Sequence, residues 1–431
     1  MNLIESYRTL KEYRSDPLAF IKKNFQQNGH FTHLNIFGKN LYIISKPEDV
    51  VHVLKTNHAA YSKGRTTKAL QKFLGKGLIT NDDMDNWRKQ HRLIRPTMNI
   101  KSIYELAPKI FETTQEFMPE LIKTPEVNGF HEMNRLTWRI ILKTLFSQEV
   151  TQEMDDWLSD ILELMEMITN KTRATVPVPF WMPTAKNLAM KRILSKFDAY
   201  VYELIRQRRH GQKKHDLIQL LIDAQEDGLS NMTDLEIRDE VMTFLMAGHE
   251  TITNSMSWLL IEVSKNKDAT PHMQNEAREF FEHRDFERLN NSPWLTACID
   301  ESMRMWPPVW VFMRQAETED TISGVKIPVG ANVVLGTYLS HHAPDLWDEP
   351  HLFKPTRFMD KKKITAGAYY PFGLGPRACI GAYFAGVEAK IILASIVHHY
   401  DWDISKVAPQ TSTAGITLRP SNNVMMKFRR R

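Results

Sequence analysis

The chain has 431 residues, of which 42% are hydrophobic and 25% charged, and its mean hydropathy is −0.39. Its 56 basic and 51 acidic residues give a formal net charge of +5, too small an excess for a nucleic-acid-binding tail. These values argue against a collagen-like, disordered or membrane-spanning protein, and two cysteines argue against a disulfide framework and indicate a reducing compartment.

The N-terminal region carries charges throughout and lacks the apolar run of a signal peptide. Because no uncharged apolar stretch reaches about 18 residues, we expect no transmembrane helix, no membrane anchor and a cytoplasmic location. The first strand signal lies at 34–44, where the pattern predicts a β-hairpin closed by Gly38 and Asn40.

Helical periodicity dominates the middle of the chain. Apolar residues recur at spacings of three and four in 154–168 and again in 190–205. The basic stretch at 206–215 is predicted to be an exposed loop between helices. A third helix should begin at Thr233, where Glu236 completes a capping box, and continue for about 30 residues. Because its centre is apolar on all sides, we expect it to pass through the middle of the protein.

The most informative segment follows a set of predicted strands at 309–340. It reads Phe372-Gly-Leu-Gly-Pro-Arg-Ala-Cys379-Ile-Gly381 and places a cysteine on a glycine-rich loop directly before an apolar helical pattern. A helix N-terminus and the nearby Arg377 should favour the thiolate. Zinc would need more ligands at close spacing, whereas a haem iron needs only one axial thiolate.

This segment resembles the cysteine-ligand loop FGxGxRxCxG of the cytochrome P-450 family at every specified position. The resemblance implies a mainly α (α+β) fold, rich in helices with small β-sheets, and a single haem domain over residues 1–431. It also implies a noncovalent haem b, iron protoporphyrin IX, with Cys379 as the iron ligand. The other implied cofactor contacts are Trp87, His91, Ala247, Gly248, Arg314, Phe372, Arg377 and Gly381. His91 stands where the family usually has arginine, and a histidine can still donate a hydrogen bond.

The long helix carries a second motif, Ala247-Gly248-His249-Glu250-Thr251, which resembles the oxygen-binding motif of the family. A glycine within a helix costs about 1 kcal/mol relative to alanine, so we expect this small pair to leave room for a ligand. We expect Thr251 to bond back to a carbonyl and distort the helix. Beside Cys379, Glu250 and Thr251 are predicted to assist protonation of iron-bound dioxygen. The alternative is a kinked core helix with a buried threonine.

A third motif is the pair Glu301 and Arg304, which lie three residues apart and share a helix face. Downstream, the segment 353–358 resembles the second arginine motif of the family. The resemblance implies that Glu301, Arg304 and Arg357 form a buried network that braces the cysteine loop. This role is structural and not catalytic.

The predicted substrate pocket is almost entirely apolar, which implies a lipophilic substrate held mainly by burial. Its residues are Leu78, Ile79, Thr243, Phe244, Met246, Ala247, Val309, Trp310, Val311, Phe312 and Ile416. The stretch 179–209 resembles bacterial members that hydroxylate fatty acids, alkanes and carotenoids, and terpenoid-modifying members would look the same. Ordinary core packing is the alternative for each residue except Ala247.

We therefore predict a haem-thiolate monooxygenase that uses dioxygen to hydroxylate a lipophilic substrate of fatty-acid, terpenoid or carotenoid type. The chain ends about 50 residues after Cys379, so electrons are expected from a separate ferredoxin or flavodoxin with its NAD(P)H reductase. Such partners are acidic, and a basic helix stretch suits them: Arg88, Lys89, Arg92 and Arg95. No nucleic-acid partner is expected. The alternatives are a peroxide-driven hydroxylase or isomerase on the same fold, and a non-enzymatic haem-thiolate sensor.

Overall fold

Helices predominate in the computed structural model, which describes residues 2–173, 178–211, 213–227, 232–407, 412–420 and 424–431. The strands form small sheets, so the predicted mainly α (α+β) class is confirmed. The helices are α1 (Leu3–Ser15), α2 (Pro17–Asn28), α3 (Pro47–Val51), α4 (Gly64–Leu74), α5 (Met84–Ile94), α6 (Ile100–Phe117), α7 (Gly129–Leu145), α8 (Gln152–Arg173), α9 (Ala185–His210), α10 (Leu217–Glu226), α11 (Asp234–Lys265), α12 (Thr270–His283), α13 (Phe286–Asn290), α14 (Pro293–Met305), α15 (Thr337–His342) and α16 (Ala382–His399). The strands are β1 (Phe31–Ile36), β2 (Lys39–Ile44), β3 (Tyr61–Ser62), β4 (Val127–Asn128), β5 (Phe312–Ala316), β6 (Asp320–Ile322), β7 (Val325–Ile327), β8 (Asn332–Leu335), β9 (Tyr400–Val407), β10 (Ser412–Ala414), β11 (Leu418–Pro420) and β12 (Val424–Arg430).

The largest sheet contains five strands in the order β1-β2-β8-β5-β3, with β2 and β8 parallel. Its β1–β2 hairpin confirms the predicted hairpin but corrects the turn. Phe37 and Gly38 form the turn with φ angles of 50° and 77°, where glycine is favoured. Asn40 lies within β2, paired with Asn35 of β1. The other sheets are β4-β12-β9, β6-β7 and β10-β11.

The long helix α11 runs through the protein interior, as its apolar centre predicts. Thr233 caps it, because its Oγ1 accepts from the N–H of Glu236 at 3.2 Å and Glu236 Oε2 accepts from the N–H of Thr233 at 2.8 Å. The helix packs against α7, α9 and α14, and α16 lies beside it as well. The helices predicted at 154–168 and 190–205 are both present, as α8 and α9.

The basic stretch at 206–215 is not simply an exposed loop. Helix α9 extends to His210, and the Arg208 side chain is buried, with Nη2 donating to Asp216 Oδ2 and to the Phe146 carbonyl at 2.8 Å each. The loop prediction fails here because the buried ion pair with Asp216 stabilises a last helical turn that charge alone does not reveal. Gln212 lies outside the described residues. In the described part of the chain, no helix has both the length and the apolarity to cross a membrane.

Candidate active site

The cysteine loop is a tight turn closed by its own backbone. The N–H of Cys379 donates to the carbonyl of Phe372 at 2.8 Å. Gly375 has a φ of 70°, and a Cβ there would lie 2.1 Å from the Leu54 carbonyl oxygen, so the loop can approach that segment only with glycine. Helix α16 begins at Ala382, three residues after the cysteine, which confirms the predicted glycine-rich loop directly before a helix.

The Cys379 side chain faces an enclosed space. It retains accessible surface, yet protein surrounds the thiol closely enough for burial to raise its pKa. Both observations hold if the accessible surface borders an internal cavity and not bulk solvent. Burial outweighs the Gly381 N–H, which lowers the same pKa. The backbone at the start of the helix therefore favours the thiolate, as predicted, but burial has the larger effect on the pKa of the free thiol.

Helix α11 has one interruption in its buried surface. Between Ile237 and Val263 every residue is buried except Ala247, Gly248 and Thr251. Thr251 Oγ1 donates to the Ala247 carbonyl at 2.9 Å, as predicted for a threonine that bonds back along its helix. A Cβ at Gly248 would lie 2.0 Å from Ile141 Cδ1, so this glycine permits close packing against α7, which corrects the view that it leaves room for a ligand.

Glu250 is directed to a different alcohol from the one predicted. Its Oε1 accepts from Thr417 Oγ1 at 2.7 Å, and Thr417 Oγ1 in turn accepts from Asn254 Nδ2 at 3.0 Å. Burial raises the pKa of the Glu250 carboxyl. The acid therefore holds the C-terminal turn that carries Ile416. No sequence pattern predicts the contact with Thr417, because this residue lies far from Glu250 along the chain.

Three cations gather beside the cysteine loop. Burial and the positive charges of Arg377 and Arg314 lower the pKa of Lys63 to about 7. Burial also lowers the pKa values of Arg314 and Arg377 to about 10 each. All three sense the Asp82 carboxylate, whose single negative charge leaves an excess of enclosed positive charge. Such a site is suited to a ligand that carries more than one carboxylate.

Two aromatic residues of α5 complete this cluster. The Arg377 guanidinium lies 4.1 Å from the centre of the Trp87 ring, and Trp87 stacks on His91 with ring centres 4.7 Å apart. Burial, Arg95 and Arg377 lower the pKa of His91, so the neutral ring keeps one N–H donor at neutral pH. The predicted pair thus joins the cations, whereas Lys63 was missed because no local pattern marks it.

The predicted ion network is present, with Glu301 and Arg304 fully buried and Arg357 partly buried. Arg304 donates from Nε to Glu301 Oε2 at 2.7 Å and from Nη2 to Oε1 at 2.9 Å. Arg357 Nε donates to the same Oε1 at 3.3 Å. His341 connects this network to the cysteine loop, because Arg304 Nη1 donates to its carbonyl at 2.8 Å and its Nε2 accepts from the Tyr370 N–H at 3.1 Å. Burial and Arg304 lower the pKa of His341 to about 3, so the ring stays neutral.

The segment after α14 divides between two surfaces. Phe312 contacts the cysteine loop, since its Cζ lies 3.3 Å from the Cβ position of Gly373. Val311 and Met313 line an open groove beside α2 and the β1–β2 hairpin, and Trp310 joins them. The structure therefore places Trp310 and Val311 in this groove, and only Phe312 of the three lies at the cysteine loop.

The remaining predicted pocket residues differ in burial. Leu78, Thr243, Phe244 and Met246 are buried, Val309 and Ile416 are partly buried, and 41% of Ile79 is exposed. The buried apolar members also belong to the main hydrophobic core. Their positions therefore agree with both interpretations, ordinary core packing and lining of the substrate pocket.

The site fits the group that the resemblance implies. One enclosed thiol can bind one metal ion, the excess cations can bind two propionate carboxylates, and the accessible part of α11 borders an internal space. Haem b carries all the complementary groups: an iron that accepts one axial thiolate and two carboxylates at one edge. Cys379, Arg314, Arg377, Lys63 and His91 are the residues that would hold it.

Comparisons with known proteins point to a single family. The model of the cytochrome P450 family matches residues 5–428. Cytochrome P450 132 of Mycobacterium bovis is 28% identical over 424 residues, which cover 93% of this chain and 90% of that protein. The cyclooctat-9-en-7-ol 5-monooxygenase of Streptomyces melanosporofaciens is 28% identical over 392 residues, with coverage of 89% and 84%. A crystal structure of a cytochrome P450, CYP102L1, matches the fold with a TM-score of 0.85 at 22% identity, covering 96% of this chain and 98% of that one.

Proposed function

The chain belongs to the cytochrome P450 family, and from this premise we propose that it hydroxylates a lipophilic substrate with electrons from a separate protein. It is a monooxygenase with haem b as its cofactor. When bound, the haem supplies reductive activation of dioxygen, which thiolate ligation promotes. The observation that carries the proposal is the accessible Cys379 thiol inside an otherwise enclosed site. We also propose that residues 1–431 form one haem domain.

The roles of the surrounding side chains follow from their positions. Cys379 would hold the iron, and the cations Lys63, Arg314 and Arg377 would bind the propionates, with an N–H of His91 as a further donor. Thr251 holds a proton at Oγ1 on the border of the enclosed space. The preceding residue on the same helix, Glu250, has a buried carboxyl group.

A lipophilic substrate is supported by the apolar residues around the site. Leu78, Phe244, Met246, Phe312 and Ile416 offer little but hydrocarbon surface, which favours burial of an apolar molecule. The related monooxygenase of Streptomyces melanosporofaciens is named for an oxidation of cyclooctat-9-en-7-ol. We therefore propose a substrate of terpenoid, fatty-acid or carotenoid type.

An isotope experiment tests this function against its alternatives. The holoprotein is supplied with NADPH, ferredoxin, ferredoxin reductase and a lipid mixture under oxygen-18 gas, and products are analysed by mass spectrometry. We expect one oxygen-18 atom in each hydroxylated product. Equal turnover with hydrogen peroxide alone would support a peroxide-driven enzyme, a product without added oxygen would support an isomerase, and no product from tightly bound ligands would support a sensor.

Substitution of Thr251 by alanine is expected to uncouple electron use from product formation. The variant loses the hydroxyl at the border of the enclosed space but keeps the apolar surface that binds substrate, so proton delivery suffers and binding does not. We expect less product per NADPH consumed, with hydrogen peroxide accounting for the difference. The measurement compares NADPH, product and peroxide in one assay.

The matched control for this prediction is Thr251→Ser, which keeps a hydroxyl at the same position. It should retain most of the coupling of the parent protein. Equal coupling in the alanine variant and the parent would contradict a role for Thr251 in proton delivery.

The electron donor is proposed to be an acidic ferredoxin or flavodoxin that docks on α5. Arg88, Lys89, Arg92 and Arg95 are all exposed, and Arg88 is paired with Asp85 at 2.9 Å. The helix lies beside the cysteine loop through the contact of Trp87 with Arg377. A basic surface at that place would attract an acidic partner at low ionic strength.

Charge reversal at Arg92 is expected to weaken this docking. Arg92→Glu should raise the ferredoxin concentration needed for half-maximal reduction several-fold at low salt, and the difference should shrink as salt screens the charges. Lys39→Glu on the β1–β2 hairpin is the control and should leave reduction unchanged. Stopped-flow reduction of both variants makes the comparison, and equal rates would place the partner elsewhere.

A further inference from the structure

A buried polar pair precedes the accessible part of α11. Successive residues of an α-helix are rotated by about 100°, so Glu240, Thr243, Ala247 and Thr251 fall within an arc of about 80° on one face. Ala247 and Thr251 are the accessible residues at the cysteine end of this face. The side chains of Glu240 and Thr243 therefore continue the same face, about 12 to 16 Å farther along the helix axis than Thr251.

Each member of this pair has an oxygen without a partner. Glu240 Oε2 accepts from the N–H of Leu78 at 3.2 Å, but Glu240 Oε1 and Thr243 Oγ1 have no hydrogen-bond partner among the residues that the structure describes. Both side chains are buried, with exposed fractions of 0% and 3%. A buried polar atom left unpaired costs about 1–3 kcal/mol, so two of them on one face indicate a place for a polar ligand group.

The pair borders the loop that carries predicted pocket residues. A Cβ at Gly77 would lie 2.2 Å from Thr243 Oγ1, so the hydroxyl is in direct contact with the backbone of this loop. The next residue, Leu78, binds Glu240 through its N–H. The two unpaired oxygens thus lie between α11 and the loop whose Leu78 side chain is buried in the apolar surroundings of the site.

The charge around the pair decides which ligand group suits it. Burial, with Asp239 and Glu236 nearby, raises the pKa of Glu240 to about 8, so its carboxyl is mainly neutral at neutral pH and offers both a donor and acceptors. A carboxylate ligand would be repelled by these acids, and an ammonium group would need an ionised partner that burial disfavours. A hydroxyl group can donate and accept at once without any charge.

We propose that Glu240 and Thr243 form a subsite for a hydroxyl group on an otherwise apolar substrate. The subsite rests on the proposed function, because it extends the lipophilic pocket of the monooxygenase. It selects lipophilic alcohols over the corresponding carboxylic acids and hydrocarbons, with the hydroxyl held at the end of the α11 face remote from Thr251.

Calorimetric binding to the holoprotein tests this subsite without turnover. The probes are two matched series: dodecan-1-ol, dodecanoic acid and dodecane, and geranylgeraniol, geranylgeranic acid and the parent diterpene hydrocarbon. We expect the alcohol of at least one series to bind about tenfold more tightly than its acid and its hydrocarbon, the effect of one well-satisfied buried hydrogen-bond pair.

Two variants locate the preference, and a third controls for it. Thr243→Val and Glu240→Leu should each reduce the alcohol preference severalfold while the hydrocarbon binds as before. Glu240→Gln keeps an acceptor for the Leu78 N–H and a polar group for the ligand hydroxyl, so it should keep the alcohol preference. If the Glu240 variants fold poorly, the alcohol preference of Thr243→Val alone still tests the subsite.

The outcomes separate the subsite from the function on which it rests. Equal binding of alcohol and hydrocarbon by the parent, or a preference that survives both Thr243→Val and Glu240→Leu, would overturn the subsite and leave the lipophilic pocket intact. Binding of no probe in either series would contradict the pocket itself, and the subsite with it.

Discussion

Replacing Cys379 by serine is expected to abolish thiolate ligation and monooxygenase activity together. The serine hydroxyl has nearly the same shape but does not ionise at neutral pH, so it cannot supply the electron donation that promotes cleavage of the O–O bond. Residual hydroxylation driven by NADPH and ferredoxin should fall below detection. The absorption spectrum of the reduced, carbon monoxide-bound variant should lose the strongly red-shifted Soret band of a thiolate-ligated haem.

The other cysteine provides the matched control. Cys298 is fully buried in α14, and burial raises its pKa far above the ordinary range, so it behaves as a small core residue. Cys298→Ser should therefore keep the red-shifted band and most of the activity, with at most a modest loss of stability. Loss of the band in this variant, with its retention in Cys379→Ser, would show that Cys298 and not Cys379 binds the iron.

Replacing Arg304 by methionine is expected to lower the free energy of unfolding by about 3–5 kcal/mol. The substitution leaves the Glu301 carboxylate fully buried without its bidentate arginine partner. It also removes the hydrogen bond to the carbonyl of His341, whose ring accepts from the Tyr370 N–H just before the cysteine loop. We therefore expect a large decrease in Tm and faster loss of haem to an acceptor protein, both measured on the purified holoprotein.

An exposed ion pair of the same spacing isolates the effect of burial. Asp85 and Arg88 also lie three residues apart on a helix, at 2.9 Å, but their side chains are 85% and 56% exposed. Arg88→Met should cost less than about 1 kcal/mol because solvent screens such pairs. If both methionine variants unfold at the same temperature, the network of Glu301 and Arg304 does not brace the fold.

The sequence was sufficient for those parts of the site that are built from neighbouring residues. The glycine-rich loop before Cys379, the capping box at Thr233 and the pair Glu301–Arg304 each depend on spacings of a few residues, and the structure has all three. The back-bond of Thr251 to Ala247 belongs to the same class. Local backbone geometry and helix periodicity determine these contacts, so a pattern can reveal them.

Contacts between distant segments could not be predicted from sequence patterns. The fold brings the Lys63 charge near that of Arg377. It also forms the hydrogen bonds of His341 with Tyr370 and of Thr417 with Glu250. No spacing in the chain encodes these pairs.

Two further features of the site also depend on the tertiary structure. Helix position suggested a stabilised thiolate at Cys379, but burial, which only the tertiary structure reveals, has the larger effect on its pKa. Similarly, Trp310 and Val311 are close to Phe312 in sequence, yet the fold places both in an open groove while Phe312 contacts the cysteine loop.

We propose that Cys379 holds a haem iron as a thiolate inside an enclosed site. The most direct measurement is the absorption spectrum of the dithionite-reduced, carbon monoxide-bound protein. We predict a Soret band shifted strongly to the red, as thiolate donation to the iron requires. A band at the position typical of histidine-ligated haem proteins, or no haem band in protein expressed with adequate haem supply, would contradict the account.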